Sequence, residues 1–351
     1  MKFVKLALPI CSATVLVVLT GTGCLPGPYE AGTPDSLFSE FVLVRDLMES
    51  YYACFIAREG LDWSRVYQQY RDAAQNLTSR EEMIELALEM LGELRDMGVA
   101  LYDSSGNRYD SFDPGYFRNW DRGVFGAYLT VWQQPDTVLP FNSFTLPEPL
   151  DSIGYMYIAT LGDTFTIDEF FGSTAAISQC SRLIIDLRFC NRIGKEVNAF
   201  YSMGRFTETM QLGYYRQFRS GPDGHDMGEP LPVYAQKNGA WQFTGPTVVL
   251  TGRYTQGAAE LLALLLRTQE HVTIIGDSTA GYANPSLTCN LTGSWTMEIP
   301  HMLTYDPNMN MMFENTVPPD SPVPVSEEDF AAGVDPVLDT ALEMCISGPI
   351  R

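Results

Sequence analysis

Thr247-Val-Val-Leu-Thr-Gly-Arg-Tyr-Thr-Gln-Gly-Ala-Ala-Glu260 is the stretch on which the fold turns. Thr247 to Thr251 is a continuous β-branched and apolar run, the pattern of a strand buried on both faces. Gly252 to Gln256 read as a short turn. A helix then opens at Gly257, with Ala258, Ala259 and Glu260 following it. A buried strand feeding directly into a helix is the repeating unit of a largely parallel sheet.

The same rhythm extends on both sides. Upstream, Ile153 to Ala159 and Leu183 to Leu187 read as strands, with helices over Ile167 to Ile177 and Glu196 to Met203. Downstream come a helix to residue 267 and strands over Val272 to Ile275 and Trp295 to Ile299. Asp335-Pro336 opens a last helix through Met344, with Asp as cap and Pro in the first turn. Residues 204–244 read as a long irregular excursion. The expected class is α/β, with a core domain over 151–346.

A different pattern precedes the core. Phe38, Phe41, Val42, Met48, Tyr51 and Tyr52 give one helix an apolar face. Asp62 or Ser64 can cap a second helix, and Ser79-x-x-Glu82 is a capping box for a third. Residues 36–102 are therefore expected to be a helical lobe ending in an extended Val99 to Tyr102. Residues 103–150 read as connecting loops and short strands, such as Phe125 to Trp132.

The 351 residues carry a net charge of −21. A surface this acidic repels phosphate backbones, which argues against a nucleic-acid partner. Lys2 and Lys5 precede the 14-residue apolar run Leu6 to Leu19, the form of an export signal over 1–23. Small residues lead into Cys24 as in a bacterial lipobox, with Gly21 where a leucine is usual. Cys24 is thus expected to carry a lipid, with 24–35 as a tether holding an exported protein to a bacterial envelope membrane. Five cysteines remain: Cys54, Cys180, Cys190, Cys289 and Cys345. Cys180 and Cys190 flank a strand about 15 Å long, too far apart for a direct bridge. No Cys/His spacing suggests a metal, and no cofactor is expected. His225, His271 and His301 share no spacing.

Eight segments resemble the S41 family of tail-specific (C-terminal processing) serine peptidases, in the family's order. Leu61-Asp-Trp63 with Tyr67 and Tyr70 resembles G-x-D-W…Y…Y. Leu91-Gly-Glu-Leu-Arg-Asp96 and Val99-Ala-Leu101 resemble the segment carrying D-G-H-V-S-L. Gly154-Tyr-Met-Tyr-Ile158 resembles G-Y-I-x-I, and Leu183-Ile-Ile-Asp-Leu-Arg188 the strand before a glycine-rich oxyanion turn. Thr255-Gln-Gly-Ala-Ala-Glu260 resembles T-x-S-A-A-E. Ile275-Gly-Asp-Ser-Thr-Ala-Gly281 resembles I-G-E-x-T-A-G. Val317-Pro-Pro-Asp320 and Asp335-Pro-Val-Leu338 resemble the closing V-x-P-D and D-P-V-L. The resemblance implies a ClpP/crotonase-like core without a PDZ insertion, since 103–150 is too short for one.

It also implies acyl transfer by a serine at a helix N-terminus, aided by an oxyanion hole and a histidine or lysine base. The working parts differ here. Gly257 stands at the serine position, Gly98 at the histidine position and Tyr282 where a lysine variant has its lysine. Glu314 keeps the family's acid. The oxyanion and substrate cleft would be formed by Arg188, Asn191, Gly194, Thr255 and Ala258. Three readings follow: a catalytically degenerate protein that binds peptide tails or a small ligand, a hydrolase with its nucleophile relocated to Cys190, Ser278 or Thr255, or a surface lipoprotein with a vestigial cleft. His225 or His301 could serve as a base in the second.

Overall fold

The computed structural model describes residues 36–135, 139–190, 194–221 and 223–347. Helices α1 (Leu37–Tyr51), α2 (Trp63–Ala74) and α3 (Arg80–Gly92) come first, then β1 (Ala100–Tyr102), β2 (Arg108–Asp110) and α4 (Arg122–Val131). Next are β3 (Phe141–Thr145), β4 (Ile153–Ile158), α5 (Ile167–Ser173), β5 (Arg182–Asp186), α6 (Glu196–Met203), β6 (Gln211–Phe218) and β7 (Leu231–Ala235). After β8 (Thr247–Thr251), α7 (Ala258–Arg267) and β9 (Val272–Gly276) run β10 (Ser286–Asn290), β11 (Thr296–Pro300), β12 (Met302–Tyr305) and β13 (Ser321–Pro322). Helices α8 (Glu327–Ala331) and α9 (Pro336–Ser347) close the described chain.

The central sheet has the order β13-β9-β8-β5-β4-β3. All neighbours are parallel except β3, which runs antiparallel to β4. The strand of the opening stretch, β8, lies inside this sheet, and every residue of it is buried. Alternation along the strands sorts side chains onto two faces. Ile185, Val249 and Ile274 face a core shared with Ala199 of α6 and Leu262 of α7. Ile184, Val248 and Ile275 face Phe125 of α4 and Val337 of α9. Apolar side chains on both faces require helices on both faces, so the class is α/β, as read from the sequence.

The helical lobe also forms where expected, for local reasons. Ser36, Asp62 and Ser79 accept backbone N–H groups at the starts of α1, α2 and α3. Glu82 does not complete the box at Ser79; its carboxylate instead takes the N–H and hydroxyl of Thr78 at 2.8 and 2.9 Å. Phe41, Met48, Ile84 and Leu91 pack with Leu101, Met297, Ile299 and Leu303. The lobe is therefore not confined to residues 36–102. Strand β1 pairs antiparallel with both β2 and β11, in a sheet of order β10-β11-β1-β2. Residues 286–305, read as core, complete the lobe.

Two further expectations are corrected. Phe125 to Trp132 is not a strand but lies mostly within α4. Asp121 caps that helix by accepting the N–H groups of Gly123 and Val124, and Phe125 and Leu129 are buried one turn apart. Residues 204–244 are not irregular throughout. Strands β6 and β7 pair antiparallel there, and β12 extends the sheet in the order β12-β6-β7. Among the described residues no helix is long and apolar enough to cross a membrane. The export signal and Cys24 lie outside the described residues.

Candidate active-site cleft

Helix α7 begins at the C-terminal end of β8, with Gly257 as its N-cap at φ 59° and ψ −120°. This is a backbone region that side-chain-bearing residues rarely adopt. The Gly257 N–H donates to Glu260 Oε2 at 3.2 Å. Glu260 is fully buried and collects three further donors. Thr279 Oγ1 and the Gly281 N–H reach Oε1 at 2.6 and 2.7 Å, and the Tyr282 N–H reaches Oε2 at 2.7 Å. Burial pushes this carboxyl up to about 7, although the hydrogen bonds pull the other way. One buried carboxylate thus fastens the loop carrying Tyr282 to the start of α7.

In front of that helix start lies a cavity of about 360 Å³, lined by Gly194, Gly257, Ala258, Tyr282, Ser286 and Glu298 among others. Gly194 passes close over α7: a Cβ on it would sit 2.6 Å from Ala258 Cβ and 3.6 Å from the Ala258 nitrogen. The turn is pinned on its other side by Leu161, whose carbonyl accepts the Lys195 N–H at 2.9 Å. Gly257, Ala258 and Gly194 therefore come together. Asn191, expected in the same turn, lies outside the described residues.

Two expected cleft residues are elsewhere. Arg188 is completely buried. Its guanidinium bonds Asp186 and Asp335 and donates to the Asn119 carbonyl, so it joins the sheet to the start of α9. Thr255 is also fully buried, donating its hydroxyl to the Leu187 carbonyl at 2.9 Å. It holds the α7 turn against the end of β5 and is not among the residues lining the cleft.

The position of Gly98 is closed. Its N–H donates to Asp96 Oδ1 at 2.7 Å, and the Tyr52 hydroxyl donates to Oδ2 at 2.7 Å. A Cβ on Gly98 would come within 2.3 Å of Tyr282 Cε2 and 2.6 Å of Pro300 Cγ. Tyr282 is buried, and its hydroxyl meets Ser286 Oγ at 3.1 Å. Glu314 lies nearby. Its N–H donates to the Gly281 carbonyl, and its carboxylate pairs with Arg58 at 2.7 Å while staying 61% exposed. The family's acid position thus has a partner, but a cationic one from the lobe. Tyr282 lines both the main cleft and the small cavity of Asp96 and Glu314. It is the wall between the two halves of the inferred site. The sequence signal for it was its place at the lysine position.

The relocated nucleophiles fare differently. Cys190 is fully buried, and that burial pushes its thiol up, against thiolate formation. Ser278 is half-buried, with its N–H on Asp277 Oδ1 at 2.6 Å. His225 is exposed beside Asp223. Burial pushes His301 down to about 4. Cys54, Cys180, Cys190, Cys289 and Cys345 are all free thiols. Among the described residues no group of three or more His, Cys, Asp or Glu could hold a metal ion.

Comparison places these features in a family. Residues 152–323 match peptidase family S41. The structure resembles that of a peptidase candidate from Parabacteroides merdae, with 23% identity and a TM-score of 0.75 over 90% of this chain and 98% of that one. It also resembles a lipoprotein from Streptococcus agalactiae, at 12% identity and a TM-score of 0.59 over 88% and 99%. Mature CPAF matches at 11% identity and 0.63 over 90% and 98%. No curated protein matches the sequence. The matched segment runs from β4 to β13 and carries α7, Gly257 and Tyr282. Through residues 152–323, this chain belongs to peptidase family S41.

Proposed function

We propose that this protein is an exported, lipid-anchored member of its family that holds a peptide tail in the α7 cleft without cleaving it. The observation that carries the reading is the pair Gly257 and Gly98–Tyr282. The first position has no hydroxyl to attack a carbonyl. The second has no room for a base, because the Tyr282 ring fills it. Of the three relocated nucleophiles considered, Thr255 and Cys190 are fully buried and Ser278 is half-buried.

The means of binding remain. A helix N-terminus offers a positive dipole end to a carbonyl or carboxylate, and the cleft before it has the volume of a small ligand site. Peptide binding rather than small-ligand binding is favoured by the family's substrate class. Export and anchoring rest on Lys2, Lys5, the run Leu6 to Leu19 and Cys24.

The test is casein hydrolysis by the purified mature chain beside a Gly98→His/Gly257→Ser/Tyr282→Ala variant. Cleavage by the natural chain at a rate similar to an active relative overturns the reading. The search would then move to Cys190→Ala and Ser278→Ala variants. Anchoring is checked by labelled-palmitate incorporation in a bacterial host, which Cys24→Ala must abolish.

A further inference from the structure

Asn238-Gly239 is the only Asn-Gly pair in the sequence. It lies in the connection from β7 to β8, with Asn238 half-buried and Gly239 exposed at φ 84°. The Gly239 N–H donates to Asn238 Oδ1 at 2.8 Å, so that nitrogen lies against the carboxamide before it. Glycine has no side chain to shield the approach. The pair is held in place. The Asn238 N–H donates to the Gly204 carbonyl at 2.9 Å, and the Gln242 side-chain amide donates to the Asn238 and Gly239 carbonyls at 3.1 and 3.3 Å.

Arg205 lies against this turn. It is 2% exposed and held between the rings of Phe171 and Trp241, at 4.4 and 4.1 Å. Its guanidinium donates to the Trp241 carbonyl, and its buried Nε has no hydrogen-bond partner among the described residues. Burial pulls its pKa down, and no acid acts on it in the other direction. A Cβ on Gly239 would lie 3.2 Å from both Nη atoms. A buried cation without a carboxylate stabilises negative charge that forms beside it.

We propose that Asn238 is a site of self-modification, converting to aspartate and isoaspartate, with Arg205 stabilising the charge that the step develops. The co-reactants are hydroxide and water. The Gly239 nitrogen gives its proton to hydroxide and bonds to Asn238 Cγ, placing negative charge on Oδ1. The bond from Cγ to the side-chain nitrogen then breaks. Ammonia leaves with a proton taken from water, and a cyclic imide remains. Water adds to either imide carbonyl, and the carbon–nitrogen bond that opens decides between aspartate and isoaspartate. Negative charge sits first on nitrogen, then on Oδ1, and finally on a carboxylate. Each is within one residue of the backbone position that faces the guanidinium. The product gives Arg205 the acid that it lacks.

The test is peptide mapping by mass spectrometry of the purified mature chain held at mildly alkaline pH. It should show amide-to-acid conversion at position 238, with aspartate and isoaspartate forms separated by chromatography. The conversion must vanish in Asn238→Ser. The folded chain should convert about tenfold faster than the chain unfolded in guanidinium chloride, the order expected of one nearby charge in a partly screened setting. Arg205→Met, with its fold checked by circular dichroism, should lose that advantage. No conversion in the folded chain overturns the site. Conversion no faster in the folded chain than in the unfolded one, or equally fast in Arg205→Met, overturns the part given to Arg205. The comparison of folded with unfolded natural chain decides the matter even where Arg205→Met does not fold.

Discussion

The ring of Tyr282 occupies the space that a side chain on Gly98 would need: a Cβ there would lie 2.3 Å from Tyr282 Cε2. The two positions are 184 residues apart yet form one packed contact. Each therefore constrains what the other can become, and any side chain placed at position 98 alone meets the Tyr282 ring.

Gly98→His by itself should destabilise the protein by about 1–3 kcal/mol, the usual cost of overpacking. Tyr282→Ala by itself should also destabilise, by about 3–5 kcal/mol, through loss of a buried aromatic. Combined, the two should cost clearly less than their sum. Urea denaturation of the four proteins checks this. Additive costs would mean that the ring and the new side chain do not compete for space.

Gly257→Ser should be destabilised by about 1–3 kcal/mol, because position 257 holds a positive φ with ψ near −120°. The variant should also show no casein hydrolysis, since Gly98 supplies no side chain to take the new hydroxyl's proton. Hydrolysis by this single variant would reveal a base that the packing around Tyr282 hides.

Glu260 gives stability a pH dependence of defined sign. Its folded pKa is about 7, above the ordinary 4.5. The folded state therefore holds its proton more tightly than the unfolded chain between those values. This contribution is fully present below pH 4.5 and is lost as pH rises through 7. Its size is roughly 3 kcal/mol, from the shift between the two values. Unfolding free energies of the natural protein and Glu260→Gln, measured from pH 4 to 8, should diverge across this window. A constant difference would mean that Glu260 titrates alike in the folded and unfolded chain.

The Asp186–Arg188–Asp335 group is completely buried and joins β5 to the start of α9. Asp335→Ala should cost about 3–5 kcal/mol, because it leaves part of a buried guanidinium charge uncompensated. It should also loosen α9, seen as faster amide exchange over 337–345. A cost below about 1 kcal/mol would show that water enters and solvates Arg188.

Much of the fold was legible because its signals are local. The buried run over 247–251, the helix opening at 257 and the caps at Asp62 and Ser79 each depend on residues within one or two turns. The segment around Phe125 was misread because aromatic and β-branched residues there mimic a strand, while the Asp121 cap and the Phe125–Leu129 spacing mark a helix. The pairing of β1 with β11 joins positions nearly 200 residues apart, and no local pattern encodes it.

By itself, the sequence determined the parallel α/β core, the helical lobe and the absence of a serine at Gly257. Only tertiary structure decided that Arg188 is a core ion rather than a cleft residue, that Thr255 faces inward, and that Tyr282 fills the place beside Gly98. The physical reason is that side-chain chemistry and short-range periodicity are written along the chain. Volume exclusion and charge pairing depend on which distant segments come to share the same space.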